Sequence, residues 1–467
     1  MTTSLFFSGI GGSGMQALAR LMLNAGYVVA GSDRAYDQGV TPDKFDRLAD
    51  EGIHLYPQDG SGVTADMEAV IVSSAIEDRI PDIQQARALG VPIRRRAEVL
   101  AEHVNARRGI AIAGTSGKTT ITGMTGWILY NAGLGPTIVN GGIMRNDFGA
   151  GADSNFVAGA RDWFVTETDE SDGSIDDFYP EIAVLSNIAR DHHELDSLND
   201  YFARFVARAS SHVVLNADDP GVARIAGQTT APVCRYGIEK PDADLTARDI
   251  RLTPGGSAAN IYEPATGAQA HMRLNVPGRH NISNALAALA AARCAGVGLK
   301  DAVGPLEQFA GIARRLEKIG RAAGAVVYDD FAHNPDKIAA SLATLKQDGA
   351  RLHVIFQPHG FGPMAMMRQE LVTSFADGLA KDDRVYLPAI YYAGGTASAQ
   401  ITSADIADGL QGRGVAAEAF DNREAIIPAL AGCVSAGDII AVMGARDDSL
   451  SVYARDICAE MEMRLTE

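Results

Sequence analysis

The run GTSGKTT sets a lysine among hydroxyl side chains, between the apolar strand pattern GIAIAG and a long helical pattern. Gly114, Thr115, Ser116, Gly117, Lys118, Thr119 and Thr120 therefore occupy a strand–turn–helix junction. Backbone N–H groups can cradle phosphates there, Lys118 can reach terminal phosphates, and the Thr119 hydroxyl can bind Mg²⁺. The common phosphate-loop pattern also needs a glycine five residues before Gly117, where Ile112 stands. A glycine turn with a surface lysine is the plain alternative, and Gly-Lys-Thr in this setting favours the phosphate cradle.

A second glycine run lies near the start. Gly9, Gly11 and Gly14 form G-x-G-x-x-G between a strand and a helix, and Asp33 closes the next strand. A diphosphate can rest on such a helix N-terminus, with the acid on a ribose. The same glycines also serve tight strand–helix packing, and a dinucleotide dehydrogenase is the usual first expectation from them.

Acidic residues crowd FVTETDESDGSIDDF, mostly as a solvated loop. Glu167 differs because it ends an apolar strand, where a carboxylate needs a partner. Asp191, His192 and His193 follow EIAVLSNI. A carboxylate and an imidazole at the carboxyl ends of parallel strands can hold a divalent cation, although His193 also fits a plain surface position. In VPGRHNISNALAA, Asn281 and Asn284 stand at a helix start, where capping is favoured over reading an adenine edge. Arg314 and Arg315 suit a phosphate clamp or an exposed basic pair. Asp329, Asp330 and His333 follow a further strand.

The elements that must position these residues alternate strand and helix, which predicts parallel α/β sheets. Similar openings at SLFFSGIGGSGM, GIAIAGTSGKTT and AVVYDDFAHNP predict three α/β domains, at 1–107, 108–321 and 322–467. A chain of 467 residues with 46% hydrophobic and 21% charged residues suits several soluble globular domains. A net charge of −17, from 41 basic and 58 acidic residues, excludes a general nucleic-acid binder. Cys234, Cys294, Cys433 and Cys458 lie far apart without C-x-x-C spacing and read as buried thiols in a reducing compartment. The N-terminus has neither a basic region nor a long apolar run, so neither a signal peptide nor a membrane span is expected.

Taken in order, GTSGKTT, ETDESDGS with NIARDH, LNADD, PGRHNISNA, GIARRLE and DDFAHNP resemble the Mur ligase family, the ATP-dependent amide-forming ligases of peptidoglycan synthesis. The resemblance spans almost the whole chain, and the family's loop lacks the distant glycine. It implies an N-terminal Rossmann-like UDP-binding domain, a central P-loop ATPase-like domain and a C-terminal Rossmann-like domain. GIGGSGM, GSD and FQPH resemble the branch acting on UDP-N-acetylmuramate, which adds an amino acid, L-alanine by default, or a ready-made tripeptide. A paralogue acting on another carboxylate or amine is the further alternative.

Residue by residue, the resemblance assigns ATP to the 114–120 loop, with Asn281 and Asn284 at the adenine, Arg315 at a phosphate and Asp330 at the ribose. Two Mg²⁺ sites are implied, one held by Thr119 and Glu167 and one by His192. Gly9, Gly11, Gly12, Ser13, Gly14, Met15, Asp33, Ser73 and Ser74 are implied for the UDP-sugar. The carboxylate is expected to attack the γ-phosphate, giving an acyl phosphate that the amine then displaces. Lys118, Glu167, His192, Arg315 and His333 form the expected catalytic set. His193, His333, His359 and Arg446 are candidates around the amine. A cytoplasmic monomer or homodimer is expected, without nucleic-acid or membrane partners. Ser116 and Asn334 stand where this branch usually has histidine. FQPHGFGPMAMM lacks the arginines that follow this histidine in the alanine-adding pattern, and Arg446 is a candidate replacement grip.

Overall fold

The computed structural model describes residues 3–74, 77–149, 153–170, 173–188, 195–253, 255–346, 349–392 and 401–466. Among them the strands form three sheets, of five, ten and six strands. Chain contacts divide the molecule into two compact units: 1–250 with 258–274 and 281–312, and 251–257 with 275–280 and 313–467.

The five-stranded sheet runs His54–Tyr56, Val28–Ser32, Ser4–Ser8, Ala69–Val72, Ile93–Arg95, with every neighbour parallel. The strand Ser4–Ser8 leads into the glycine loop and the helix Ser13–Asn24, as the pattern predicts. Its carboxyl end is tied by an acid invisible to pattern reading. Asp82, fully buried, accepts from the hydroxyls of Ser8 (2.8 Å) and Ser32 (2.5 Å) and from Gly60 N–H (3.1 Å).

The ten-stranded sheet has a parallel centre. Arg108–Ala113 lies between Ile182–Leu185 and Trp163–Glu167, and His212–Asn216 continues beyond Ile182–Leu185. Residues Ile110–Ala113 are fully buried, so Ile112 belongs to this strand and not to the loop above it. The helix Lys118–Asn131 is buried along Thr119–Leu129, all round its circumference, which places it in the interior of its unit.

In the six-stranded sheet, Ala325–Asp330, Ile439–Met443, Leu352–Phe356, Arg384–Pro388 and Ala416–Phe420 pair in parallel, with Glu317–Ala322 antiparallel at one edge. Leu352, Val354 and Phe356 enter one apolar cluster while Ile355 enters the other. Both faces are therefore covered, as parallel sheets require. Among the described residues no helix is long and apolar enough to cross a membrane.

Candidate functional site

The 114–120 loop emerges from the buried strand Arg108–Ala113 and is clamped from the neighbouring strand's end. Thr115 N–H donates to the Asn187 carbonyl (3.1 Å) and Ser116 N–H to Asn187 Oδ1 (2.8 Å). Asn187 Nδ2 and Ser186 Oγ both return to the Ser116 carbonyl, at 2.8 and 2.9 Å. Gly117 has φ +88°, and a Cβ there would lie 2.5 Å from Asn284 Oδ1. Glycine is needed at that position for both the left-handed backbone and the close approach. Sequence reasoning passed over Ser186 and Asn187; their place after a buried parallel strand, beside the loop, is the signal that could have found them.

Two carboxylates meet this loop. Lys118 Nζ lies 2.8 and 3.0 Å from the oxygens of Glu170, whose side chain is only 8% exposed. Burial alone would lower the Lys118 ammonium. The Glu170 carboxylate, helped by Asp169 and Glu167, outweighs burial and raises it above the ordinary lysine value. Glu170 therefore does not belong to a solvated acidic loop. Asp176 does not either, being paired with Arg204 (2.8 Å) and Arg208 (2.7 Å).

Glu167 has the partners its strand-end position demands: Thr119 Oγ1 donates to Oε2 (2.9 Å) and Gly141 N–H to Oε1 (2.5 Å). The hydroxyl and carboxylate are hard oxygen donors of the kind Mg²⁺ takes together with phosphate oxygens and water. Among the described residues no group of three or more His, Cys, Asp or Glu side chains forms a metal cluster. Thr119 and Glu167 supply two oxygens, a donor set that fits a cation taking its remaining ligands from a bound phosphate and water. His192 and His193 lie outside the described residues.

Asn281 and Asn284 do not cap their helix. It begins at Arg279, so both lie inside it, 5% and 8% exposed, with Asn284 Nδ2 donating to Asn281 Oδ1 (3.1 Å). The sequence preference for a cap is corrected: these amides face the protein interior, and Asn284 stands against the Gly117 turn.

In the first glycine loop, Gly9 and Ile10 N–H both donate to the Ser32 carbonyl at 2.9 Å. Asp33 accepts from Gly11 N–H (2.8 Å) and Ala35 N–H (2.8 Å), so it links the loop to the second strand's end. Lys44 Nζ reaches the Gly11 carbonyl (3.2 Å). Gly12 precedes the helix that opens at Ser13 and carries Gly14 in its first turn. Ser73 and Ser74 follow the strand Ala69–Val72. Met15 is 3% exposed and packs in the apolar core.

The second unit gathers the remaining candidates. Arg314 and Arg315 are half-buried, which rules out an exposed basic pair, and their guanidinium carbons lie 5.0 and 4.9 Å from the Phe331 ring centre. Arg314 also donates to the Gly444 carbonyl (2.7 Å) and lies 3.6 Å from buried Asp329. Asp330 is buried and accepts from Leu316 N–H (3.2 Å) and the Ser341 hydroxyl. Burial raises both carboxyls above the usual range. Asn334 caps the helix Pro335–Leu345 through Lys337 N–H.

His333 and His359 stack edge to face with ring centres 5.6 Å apart. Burial, with Lys337 nearby, lowers His333 to about 3, and burial with Arg446 lowers His359 to about 4. Both rings are neutral near pH 7, and His333 is a poor proton acceptor. His359 Nδ1 is buried without a hydrogen-bond partner among the described residues. Arg446 is exposed with φ +66°, just beyond the carboxyl end of Ile439–Met443. The helix after His359, Phe361–Gly378, opens behind Gly360, and its first arginine is Arg368.

Parallel sheets, a strand–loop–helix phosphate cradle, a half-buried lysine paired with Glu170 and a neighbouring threonine paired with Glu167 define the class: a multi-sheet α/β protein of the phosphate-loop type. Residues 5–108 match the Mur ligase family catalytic domain, 112–292 the Mur ligase middle domain, and 314–446 the Mur ligase glutamate ligase domain. The chain belongs to the Mur ligase family. It is 37% identical over 419 residues to the UDP-N-acetylmuramate–L-alanine ligase of Acidithiobacillus ferrooxidans, covering 87% of each chain. With the enzyme of the same name from Thermobifida fusca it shares 38% over 458 residues, covering 94% of this chain and 93% of the other. Its fold is similar to that of the UDP-N-acetylmuramate–alanine ligase MurC of Thermotoga maritima, with a TM-score of 0.81, 26% identity, and 99% and 100% of the two chains covered.

Proposed function

We propose that the chain is an ATP-dependent, ADP-forming ligase that joins the carboxylate of UDP-N-acetylmuramate to the amine of L-alanine. The observation that carries this reading is the Lys118–Glu170 and Thr119–Glu167 arrangement at a phosphate cradle, within a family of carboxylate–amine ligases. The proposed division of labour follows 1–107 for the UDP-sugar, 108–321 for ATP and 322–467 for the amine and further ATP contacts.

The proposed roles follow from what each side chain already does. With Thr115 and Ser116 N–H held by Asn187, the clamped loop presents the N–H groups of Gly117, Lys118, Thr119 and Thr120 at the helix start to phosphates, and Lys118 exchanges Glu170 for phosphate oxygens. Thr119 and Glu167 are the residues that would hold Mg²⁺, with His192 proposed for a second ion. When bound, Mg²⁺ supplies charge neutralisation for phosphoryl transfer. Asn281 and Asn284 are proposed adenine contacts, Arg315 a phosphate contact and Asp330 a ribose contact, all four on motif resemblance. Gly9, Gly11, Gly12, Ser13, Gly14, Met15, Asp33, Ser73 and Ser74 are proposed around the UDP moiety. Arg446 is proposed to hold the carboxylate of the incoming amino acid, beside His359 and His333; His193 remains a candidate there.

One observation favours a second reading, in which the amine is a bulkier amino acid or a short peptide. The exposed Tyr392 ring lies 6.5 Å from the half-buried Phe361 ring beside Gly360, a segment that presents aromatic surface and no cation before Arg368. Phosphate release from ATP and Mg²⁺, measured over a grid of UDP-sugars and amines, tests both. Release only with UDP-N-acetylmuramate and L-alanine supports the first reading. Release with UDP-N-acetylmuramate and only larger amines supports the second. No release dependent on UDP-N-acetylmuramate with any amine overturns both.

A further inference from the structure

Asn155 lies on the edge strand Ser154–Val157, is 2% exposed, and reaches across to the helix that follows the first glycine loop. Its Nδ2 donates to the Ser13 carbonyl (2.8 Å), and its Oδ1 accepts from Arg20 Nη1 (2.6 Å), about two turns further along the same helix. The Arg20 fork is fixed on its other side by Glu51, at 2.7 and 2.9 Å. A buried amide whose two ends are both satisfied by one helix fixes that helix in place and in rotation. These partners stand 142 and 135 positions from Asn155, so no local pattern reveals them.

The other strand of the same hairpin, Thr137–Met144, serves the phosphate cradle. It pairs antiparallel with Ser154–Val157, Ile138 opposite Val157 and Val139 opposite Phe156. Just beyond those pairs, Gly141 N–H donates to Glu167 Oε1 (2.5 Å) and Asn140 Nδ2 to the Thr119 carbonyl (3.2 Å). A Cβ at Gly142 would lie 2.9 Å from Thr119 Cγ2, so the strand runs directly against that side chain. One hairpin therefore touches the Thr119–Glu167 pair through one strand and the glycine-loop helix through the other. Met15, Leu18 and Val139 belong to one apolar cluster, with Phe156 packed against it, so the polar link is backed by a close-packed core.

We propose that Asn155 and Arg20 are positioning residues that hold the first glycine loop in register with the phosphate cradle, so that the sugar substrate's carboxylate meets the terminal phosphate of the nucleotide. The inference rests on the ligase reading above and adds residues to which that reading gives no role. The loop keeps its own shape through other bonds, from Gly9 and Ile10 N–H to the Ser32 carbonyl and from Gly11 N–H to Asp33. Loss of the Asn155 amide therefore lets the loop shift as a body while its grip on a diphosphate is kept. A misplacement of about 1 Å costs roughly 100-fold in rate. The effect belongs in kcat, and the binding constants are spared.

The test compares the full-length wild type with Asn155→Ala and Arg20→Ala, well below their thermal midpoints. With ATP, Mg²⁺, UDP-N-acetylmuramate and L-alanine, kcat for phosphate release should fall roughly 10–100-fold in Asn155→Ala and roughly 3–10-fold in Arg20→Ala, which keeps the Ser13 bond. KM for ATP and the dissociation constant of UDP should stay within about threefold. The double variant should match Asn155→Ala within about twofold, because Arg20 acts through Asn155. An unchanged kcat with a lowered midpoint marks ordinary packing and overturns the proposal, as does a loss confined to UDP affinity. Hydrogen exchange with UDP alone provides a readout that needs no turnover. UDP should slow exchange across residues 9–16 and 154–157 in the wild type, and across 9–16 only in Asn155→Ala. Wild-type protection that is confined to 9–16, or absent, overturns the proposal. Protection of both segments without release dependent on UDP-N-acetylmuramate removes the ligase reading and leaves the link between loop and hairpin standing.

Discussion

Glu170→Gln separates two effects that the Lys118–Glu170 pair combines. In the free protein the substitution leaves the ammonium with one neutral acceptor in a site where both partners are mostly buried, at 16% and 8% exposure. Removing one partner of a buried pair costs about 3–5 kcal/mol, and the amide's retained hydrogen bond reduces this to roughly 2–3 kcal/mol. For a cooperative unit of roughly 300 residues, at about 2.1 cal/mol/K per residue, that is a midpoint lowered by about 3–5 °C. A bound triphosphate reverses the balance, because it supplies the missing negative charge and no longer competes with Glu170. The midpoint of Glu170→Gln should therefore gain more from ATP and Mg²⁺ than that of the wild type, by roughly 2 °C or more. Thermal scans with and without nucleotide measure both quantities. The pair also has a pH signature. Because the folded ammonium holds its proton more tightly than an ordinary lysine, its contribution is complete below about pH 10 and fades only as pH rises through the raised folded value. An unchanged midpoint in the free protein, or an equal nucleotide gain in both forms, refutes the assignment of Lys118 to phosphate.

Asn187→Ala removes the side-chain bonds to both sides of Ser116 and should lower stability by about 1–3 kcal/mol; ATP affinity by calorimetry should fall together with the thermal midpoint. Acid should weaken the second unit, because the unfolded chain protonates imidazoles near pH 6.5 while folded His333 and His359 resist down to about 3 and 4. Stability is retained above about pH 6.5 and falls as pH drops below it. Asp329 and Asp330, raised by burial, act in the opposite sense. The double variant His333→Gln, His359→Gln should therefore show a shallower loss of midpoint between pH 7 and 4.5 than the wild type. Thr41 has φ +51° and a buried hydroxyl without a partner among the described residues, and it does not cap the helix Pro42–Asp50. Thr41→Gly should raise the stability of its unit by about 1 kcal/mol, read from denaturant midpoints at unchanged slope.

Local chemistry made the strands and the loop legible. GIAIAG followed by GTSGKTT reads correctly because a buried parallel strand must be apolar along its length and a phosphate turn must be glycine-rich. Glu167 was also legible, since a carboxylate at the end of such a strand requires a partner; the resemblance set Thr119 with it at a cation, and the fold adds the direct hydrogen bond between them. Glu170 was not legible. Its neighbours in sequence are acids of a loop, and it differs from them only because Lys118, 52 positions away, lies 2.8 Å from it. Asn284 has the composition of a cap, and the Gly117 turn against it is set by packing across the unit.

The sequence by itself determined the α/β class, the order of the elements and the phosphate loop, because each depends on neighbours within a few positions. Tertiary structure decided which acids are paired and which imidazoles stay neutral. Those properties depend on burial and on distances between groups far apart along the chain, and on the low-dielectric surroundings that make a pairing decisive.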